Sequence, residues 1–211
     1  MDVVVVGGHG KIALHLERML AERGDRVRGV IRKPEQAADL EAQGAEAVIC
    51  DIEQEELTDA VEGADAVVFA AGAGPGSGPE RKSTVDYGAA VKLIEACKAK
   101  GISRYLMISA WGTGRPDTWS EAMIPYYEAK RDADEELEHA GLEHTIVRPG
   151  MLKDDPGSGK VTAGSMADPG GIAREDVAAV LAEVLRAENT VGKAFDLLEG
   201  DTPIPEAVRA I

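Results

Sequence analysis

The chain has few aromatic residues, two cysteines, a shortage of positive charge and no long apolar run. Its eight aromatics, two Trp, four Tyr and two Phe, make up 4% of 211 residues, and 38 acidic side chains outnumber 23 basic ones, for a formal net charge of −15. Such a surface repels a phosphate backbone, and no basic stripe interleaved with aromatics offsets it, so no nucleic-acid partner is expected. The acidic surplus reads as a solvated surface. No stretch approaches the ~18 to 20 apolar residues of a membrane span. The N-terminus enters an apolar strand without a basic leader or cleavage site, so no membrane association and a cytoplasmic location are expected. Cys50 and Cys97 fall at a strand end and on the apolar side of a helix; they read as buried small hydrophobes rather than a disulfide framework. Histidines 9, 15, 139 and 144 form no zinc pattern, and Asp154-Asp155 is too sparse for a calcium loop, so no metal is expected. No Ser/His/Asp or Cys/His set announces a hydrolase.

What the chain does have stands at its start, in Val3-Val4-Val5-Val6-Gly7-Gly8-His9-Gly10-Lys11-Ile12-Ala13. A continuous apolar run ends in glycines, and Ile12, Leu16, Met19 and Leu20 follow on one helical face, which reads as buried strand, tight turn and helix. The glycines let the loop turn sharply and let a phosphate approach bare backbone, while a helix beginning near Gly10 aims its free N–H groups at that phosphate. Both Gly8-x-Gly10-x-x-Ala13 and Gly7-x-x-Gly10-x-x-Ala13 fit a dinucleotide-binding spacing. The loop lacks Gly-Lys-Ser/Thr, which argues against a P-loop triphosphatase.

Strands and helices then alternate. Arg26 to Ile31 reads as a strand, leaving Arg32-Lys33 at its tip, where a dinucleotide fold meets the adenosine ribose; a basic pair there favours NADP over NAD, unless it merely snorkels. Pro34 to Gln43 reads as a helix closed by Gly44, Ala45 to Cys50 as a strand, and Gln54 to Glu62 as a helix stopped by Gly63. Asp51 would cap that helix or face adenine. Asp65 to Phe69 is a strand opening into the small-residue loop Ala70 to Pro79, a plain loop or part of the cofactor crevice. A helix over Thr84 to Lys100 and a strand over Arg104 to Ser109 follow. Trp111, Trp119, Met123 and Ile124 form a pocket wall or plain core packing. Tyr126 to Ala140 is a helix, Glu143 to Arg148 a strand, and Lys153 to Gly171 a polar excursion with a short strand at Lys160 to Thr162. A helix over Arg174 to Ala187, a strand over Lys193 to Leu198 and a helix beyond Pro205 complete the chain. The expectation is one α/β domain over 1–211: a doubly wound, mainly parallel Rossmann sheet with helices on both faces. Residues 151–173 would be a small substrate or lid excursion.

Tyr126 and Lys130 are four apart on one helix face, so an ammonium can favour ionisation of a phenol and tune it for proton donation to a carbonyl during hydride transfer. A surface tyrosine with a solvated lysine fits the same spacing, and Tyr127 with Arg131 is a competing pair.

Together, Val5 to Ala13, Arg32, Asp51-Ile52, Val85-Asp86-Tyr87, Met107-Ile108-Ser109, Tyr126-x-x-x-Lys130, Val147-Arg148-Pro149-Gly150 and Arg174-Glu175-Asp176-Val177-Ala178 resemble the atypical short-chain dehydrogenase/reductase family, specifically its small NAD(P)H-binding proteins. The resemblance implies Tyr126 as proton donor and Lys130 as the lysine that binds the nicotinamide ribose and lowers the phenol's pKa. It implies Gly7, Gly10 and Ala13, within a loop that also holds Gly8, His9, Lys11 and Ile12, as the pyrophosphate site. Arg32, beside Lys33, matches the 2′-phosphate contact, Asp51 and Ile52 the adenine contacts, Ala70, Ala71 and Gly72 the wall behind the cofactor, and Pro149, Gly150 and Met151 the segment beside the carboxamide. Ser109 matches the family serine only approximately, because Ala110-Trp111 follow where many relatives carry further hydroxyls; the substrate-orienting hydroxyl is Ser109, Thr113 or absent. With about 60 residues after the sixth strand, a small substrate is implied.

The leading expectation is an NADPH-dependent reductase of a small carbonyl, quinone or flavin-like acceptor, monomeric or homodimeric, with Lys11 and the glycine loop on the phosphates. A non-catalytic NADPH-binding regulator or assembly factor is the alternative. A nucleotide-sugar-type epimerase or dehydratase with tightly bound NAD is a third reading, at odds with Arg32.

Overall fold

In a computed structural model, which describes residues 1–74 and 76–211, the valine run forms the central strand. β1 (Asp2–Val6) is completely buried from Val3 onward. Val3 and Val5 face one apolar layer, and Val4 and Val6 the other. Buried on both faces, such a strand needs no polar alternation, and β-branched side chains suit its pleat.

The chain continues through α1 (Lys11–Glu22), β2 (Arg26–Ile31), α2 (Ala37–Glu41), β3 (Glu46–Ile49), β4 (Ala66–Phe69), α3 (Pro79–Arg81), α4 (Ala89–Lys100), β5 (Arg104–Ile108), α5 (Ile124–His139) and β6 (Glu143–Pro149). Then come β7 (Met151–Lys153), β8 (Lys160–Gly164), β9 (Gly171–Ala173), α6 (Arg174–Val184), β10 (Lys193–Glu199), β11 (Thr202–Pro203) and α7 (Ile204–Arg209). The main sheet runs β11-β8-β10-β6-β5-β4-β1-β2-β3. From β3 to β10 every pairing is parallel, and β8 and β11 add an antiparallel edge. Helices α1, α6 and α7 cover one face, α4 and α5 the other. This is a single doubly wound α/β domain, as its alternating pattern predicts.

Three expected elements differ. Gln54 to Glu62 makes turns, not a helix. Lys92 Nζ takes the carbonyls of Ile52, Glu53 and Glu55 at 3.4, 3.0 and 3.2 Å, so acceptors that a helix would need point at an ammonium instead. The helix expected from Thr84 begins at Pro79 and passes through a π-helical segment, Lys82–Gly88, whose wider turn brings both Val85 and Asp86 inward. The excursion after Lys153 is ordered by pairing: β7 and β9 zip together, and β8 lies between β10 and β11. The small-residue loop before α3 includes Pro75, which lies outside the described residues. Cys50 and Cys97 are buried thiols, as expected.

The buried face of α1 is Ile12, Ala13, Leu16, Glu17 and Leu20, so Glu17 occupies the core where the periodicity suggests Met19. Glu17 is fully buried, and neither carboxyl oxygen has a hydrogen-bond partner. Burial pushes its pKa from 4.5 to about 8, so the folded chain holds a neutral acid there at neutral pH. Folding therefore loses stability as pH rises from 4.5 to about 8, because only the unfolded chain ionises Glu17 across that window. The loss is at most about 5 kcal/mol. Thermal melts of Glu17→Met should show a gain over wild type that widens by several degrees between about pH 5 and about pH 8. A gain that stays constant with pH would mean Glu17 does not titrate in that window.

Candidate cofactor cleft and acid–base site

β1 leads into the α1 layer and its neighbour β4 into the α4 layer, so their carboxyl ends diverge and leave a crevice. The loop that turns there demands glycine. Gly7 has φ +86°, and a Cβ on it would sit 2.7 Å from Ala71 Cα. Gly7 and Gly8 donate their N–H groups to Val30 O at 3.2 and 3.0 Å, and Gly10 donates to Gly7 O at 2.9 Å. The first intrahelical acceptor, Gly10 O, is taken by Leu14 N at 2.9 Å, so the N–H groups of Lys11, Ile12 and Ala13 are left for an anion at the helix start.

The resulting cleft has a volume of about 260 Å³ and brings together Gly7, His9, Gly10, Arg32, Lys33, Asp51, Ile52, Ala70, Ala71 and Gly72. All ten stand among the residues read from the sequence as cofactor-binding. His9 is held by Gln36, whose Nε2 donates to Nδ1 at 3.0 Å, and by Asp39, 2.7 Å from Nε2. Asp51 Oδ1 accepts from Glu53 N at 3.0 Å, capping a turn rather than a helix.

Two lining residues carry no local signal in the sequence. Glu53 accepts from Arg81 NH2 at 3.0 Å and from Thr84 Oγ1 at 2.7 Å, with Arg32 NH1 at 3.5 Å. Burial opposes its charge, but these partners hold its pKa below the usual glutamate range. Glu53 thus ties Arg32, at the exit of β2, to Arg81, in α3 on the opposite wall.

Other expected contacts lie elsewhere. Gly8 faces inward, where a Cβ would collide with Glu17 and Gly29. Ile12 is core. The Lys11 ammonium, one helical step round from the cleft, pairs with Asp154, which also holds Arg174; it lines a separate depression beside Arg18 and Glu175 rather than the cleft. Pro149, Gly150 and Met151 lie outside the cleft's lining. There, Gly150 N donates to Leu197 O at 3.0 Å and Met151 N to Gly170 O at 2.8 Å, leaving the Met151 side chain 71% exposed.

At the carboxyl end of β5, α5 presents Lys130 and Asp134 to the interior. Lys130 Nζ lies 3.1 Å from Asp86 Oδ1, donates to Ile108 O at 3.2 Å and stands 5.8 Å from the centre of the Phe69 ring. Burial disfavours its charge, yet Asp86 and then Tyr126 outweigh that and raise its pKa. Tyr126 is half-buried, edge-on to Tyr127 at 5.3 Å, with Lys82 Nζ 5.1 Å from its ring centre. The expected lowering of its pKa does not survive. Burial pushes the phenol up, Lys130 pulls it down, and Asp86, Tyr127 and Asp134 push it up again, for a net rise. The competing pair fails too: Arg131 turns to Asp132 at 2.8 Å and to the Trp119 ring.

Ser109 is buried, and no hydrogen bond of normal geometry reaches its Oγ. The nearby Asp134 carboxylate accepts from Thr113 Oγ1 at 3.4 Å and Arg148 Nε at 2.9 Å. Of the two candidate orienting hydroxyls, Thr113 is therefore committed to Asp134 and Ser109 is buried without a partner. Trp111, Trp119, Met123 and Ile124 are all at least partly exposed, which removes plain core packing. Trp119 stacks on Tyr127 at 5.3 Å, and Trp111 N donates to Pro149 O at 2.9 Å, so this rim borders the tyrosines and the Pro149 segment. Among the described residues no group of acidic, His and Cys side chains is suited to a metal ion, and no helix is long and apolar enough to cross a membrane.

The NAD(P)H-binding family pattern matches residues 7–188. The uncharacterized sugar epimerase YhfK of Bacillus subtilis is 43% identical over the whole of both chains. A solved Bacillus halodurans protein, provisionally assigned as an NAD-dependent epimerase/dehydratase, is 40% identical with full coverage of both chains and a TM-score of 0.97. The oxidoreductase ylbE of Lactococcus lactis is 26% identical, covering 100% of this chain and 96% of its own, with a TM-score of 0.87.

The Gly7 contact is open to a controlled test, because Gly24 shares its φ of +86° but a Cβ on it would meet nothing within 4 Å. Gly24→Ala should cost only backbone strain, about 1 kcal/mol. Gly7→Ala should cost more and weaken NAD(P)H binding at least about tenfold in calorimetric titration, by pushing the loop off Ala71. Equal effects of the two substitutions would mean the approach to Ala71 is not needed.

Proposed function

This chain belongs to the NAD(P)H-binding family, and from that premise we propose that it is an NADPH-dependent reductase of a small carbonyl, quinone or flavin-like acceptor. The observation that carries the reading is the half-buried Tyr126 phenol, held neutral one helical turn from the buried Lys130 ammonium. A neutral phenol is the form that can give a proton, and reduction of a carbonyl consumes one at the oxygen as hydride reaches the carbon.

The chain's groups fit a dinucleotide. Gly7 leaves the space a Cβ would fill, the α1 N–H groups face the pyrophosphate position, and Asp51 and Ile52 border the adenine end. Arg32, Lys33 and Arg81 supply positive charge at the adenosine ribose, which supports NADPH over NADH. When bound, the cofactor supplies the hydride. Lys130 Nζ donates to Ile108 O and forms an ion pair with Asp86, which leaves an N–H for a ribose hydroxyl. Tyr126 then donates its phenolic proton to the substrate oxygen. Trp111, Trp119 and Met151 border the place for a small apolar acceptor, and 151–173 is the segment to close over it.

A second reading, a non-catalytic NADPH-binding regulator, draws support from Ser109 and Thr113, since neither hydroxyl is turned outward. The epimerase name carried by YhfK fits the charge at Arg32 less well, because that chemistry needs tightly held NAD.

Parallel calorimetric titrations with NADPH and NADH, at fixed salt, test the cofactor. NADPH should bind more tightly, and Arg32→Ala should weaken it about tenfold or more while leaving NADH nearly unchanged. Binding of neither removes the reductase reading. Once an acceptor is identified, Tyr126→Phe should lower turnover at least about a hundredfold with little change in NADPH affinity; unchanged turnover would favour the regulator.

A further inference from the structure

We propose that Asp86 is a positioning residue for the acid–base pair, fixing Lys130 against the cofactor crevice and keeping Tyr126 in the proton-donating form. The proposal rests on the reductase reading and extends it to a residue outside the Tyr–Lys pair.

Asp86 is 1% exposed. A buried carboxylate persists only with partners, and its two partners join separate parts of the site. Oδ2 accepts the backbone N–H of Ala73 at 3.1 Å, in the loop that continues the crevice wall, and Oδ1 is 3.1 Å from Lys130 Nζ. Gly72 makes room for this, since a Cβ there would lie 3.3 Å from Oδ1. Asp86 also sits in the π-helical segment, a departure from α geometry that is frequent at functional sites. A buried ion pair of this kind is weak as a stabilising device, since apolar residues of similar volume commonly serve as well.

The charges around the pair are few. Lys130 faces Asp86 from the π segment, the Ile108 carbonyl from β5, the Phe69 ring from β4, and Tyr126 and Asp134 from its own helix. Asp134 is engaged by Arg148. Tyr126 faces Lys130, Asp86, Tyr127 and Asp134, with Lys82 over its ring. Within this set Lys130 is the buried cation that favours the phenolate, Lys82 is a partly exposed one over the ring, and Asp86 is the acid that pairs with Lys130. Removing the Asp86 charge frees the ammonium to act on the phenol, which suits a base accepting a proton in oxidation rather than an acid giving one in reduction.

The test is titration of tyrosinate ultraviolet absorbance, which needs neither cofactor nor substrate. Asp86→Asn should bring one of the four tyrosines into titration about one pH unit or more below its wild-type position, and adding Tyr126→Phe should abolish that transition. Superimposable titrations of wild type and Asp86→Asn would overturn the proposal. If Asp86→Asn does not fold, Asp86→Ser takes its place, since it removes the charge while keeping a hydroxyl for the Ala73 N–H: a lowered tyrosine transition is expected, and a titration superimposable on wild type overturns the proposal. NADPH calorimetry on the wild type reports separately on the reductase reading, so either can fail while the other stands.

Discussion

The approach of bare backbone at the divergence of β1 and β4 is the constraint on which the rest of the site depends. Gly7 can lie against Ala71 only because it has no side chain and tolerates a positive φ. That contact sets the height of the phosphate loop over the sheet, and through Gly10 the start of α1. Once the loop is placed, the tips of β2 and β3 fall on one side of the cleft and the segment after β4 on the other. The order of strands makes this possible: neighbours leave the sheet toward opposite layers, and the gap between them is open at its carboxyl edge.

Charge at this edge is arranged in opposed pairs. Arg32 and Arg81 share Glu53, Lys11 and Arg174 share Asp154, and Lys130 has Asp86. The pairs differ in consequence because they differ in burial. Exposed pairs such as Lys11 with Asp154 are screened and contribute little to stability, so an anion can compete for the cation. The enclosed pair of Lys130 and Asp86 has no solvent to replace either partner, so each fixes the other's charge and the phenol beside them responds to both. In an acidic chain, the positive groups at the cleft are a few cations and the backbone N–H groups at the start of α1, not a basic surface.

Several features were legible from local pattern. β2 matches its reading residue for residue, because Gly24-Asp25 turns into it and Arg32-Lys33-Pro34 follows an alternation of charged and apolar residues, and the cleft wall followed from glycines placed between strand and helix. The failures have a common cause. Gln54 to Glu62 looks helical by composition, but Lys92, far along the chain, removes its acceptors. Lys11 reads as a phosphate ligand, and nothing near it in the sequence shows that Asp154, 143 residues away, pairs with it. Tyr126 and Lys130 are correctly neighbours, but the sign of the effect on the phenol depends on Asp86, which only folding delivers to the pair.

The sequence by itself determined the alternation of strand and helix, the glycine loop, the residues at successive strand ends that line the cleft and the spacing of Tyr126 with Lys130, because each is governed by neighbours within a few positions. Tertiary structure alone decided which groups meet: Glu53 with two arginines, Asp86 with Lys130, Thr113 with Asp134, and Glu17 left neutral in the core. Ionisation and orientation depend on burial and on partners brought from distant segments, and neither is a property of a local stretch of chain.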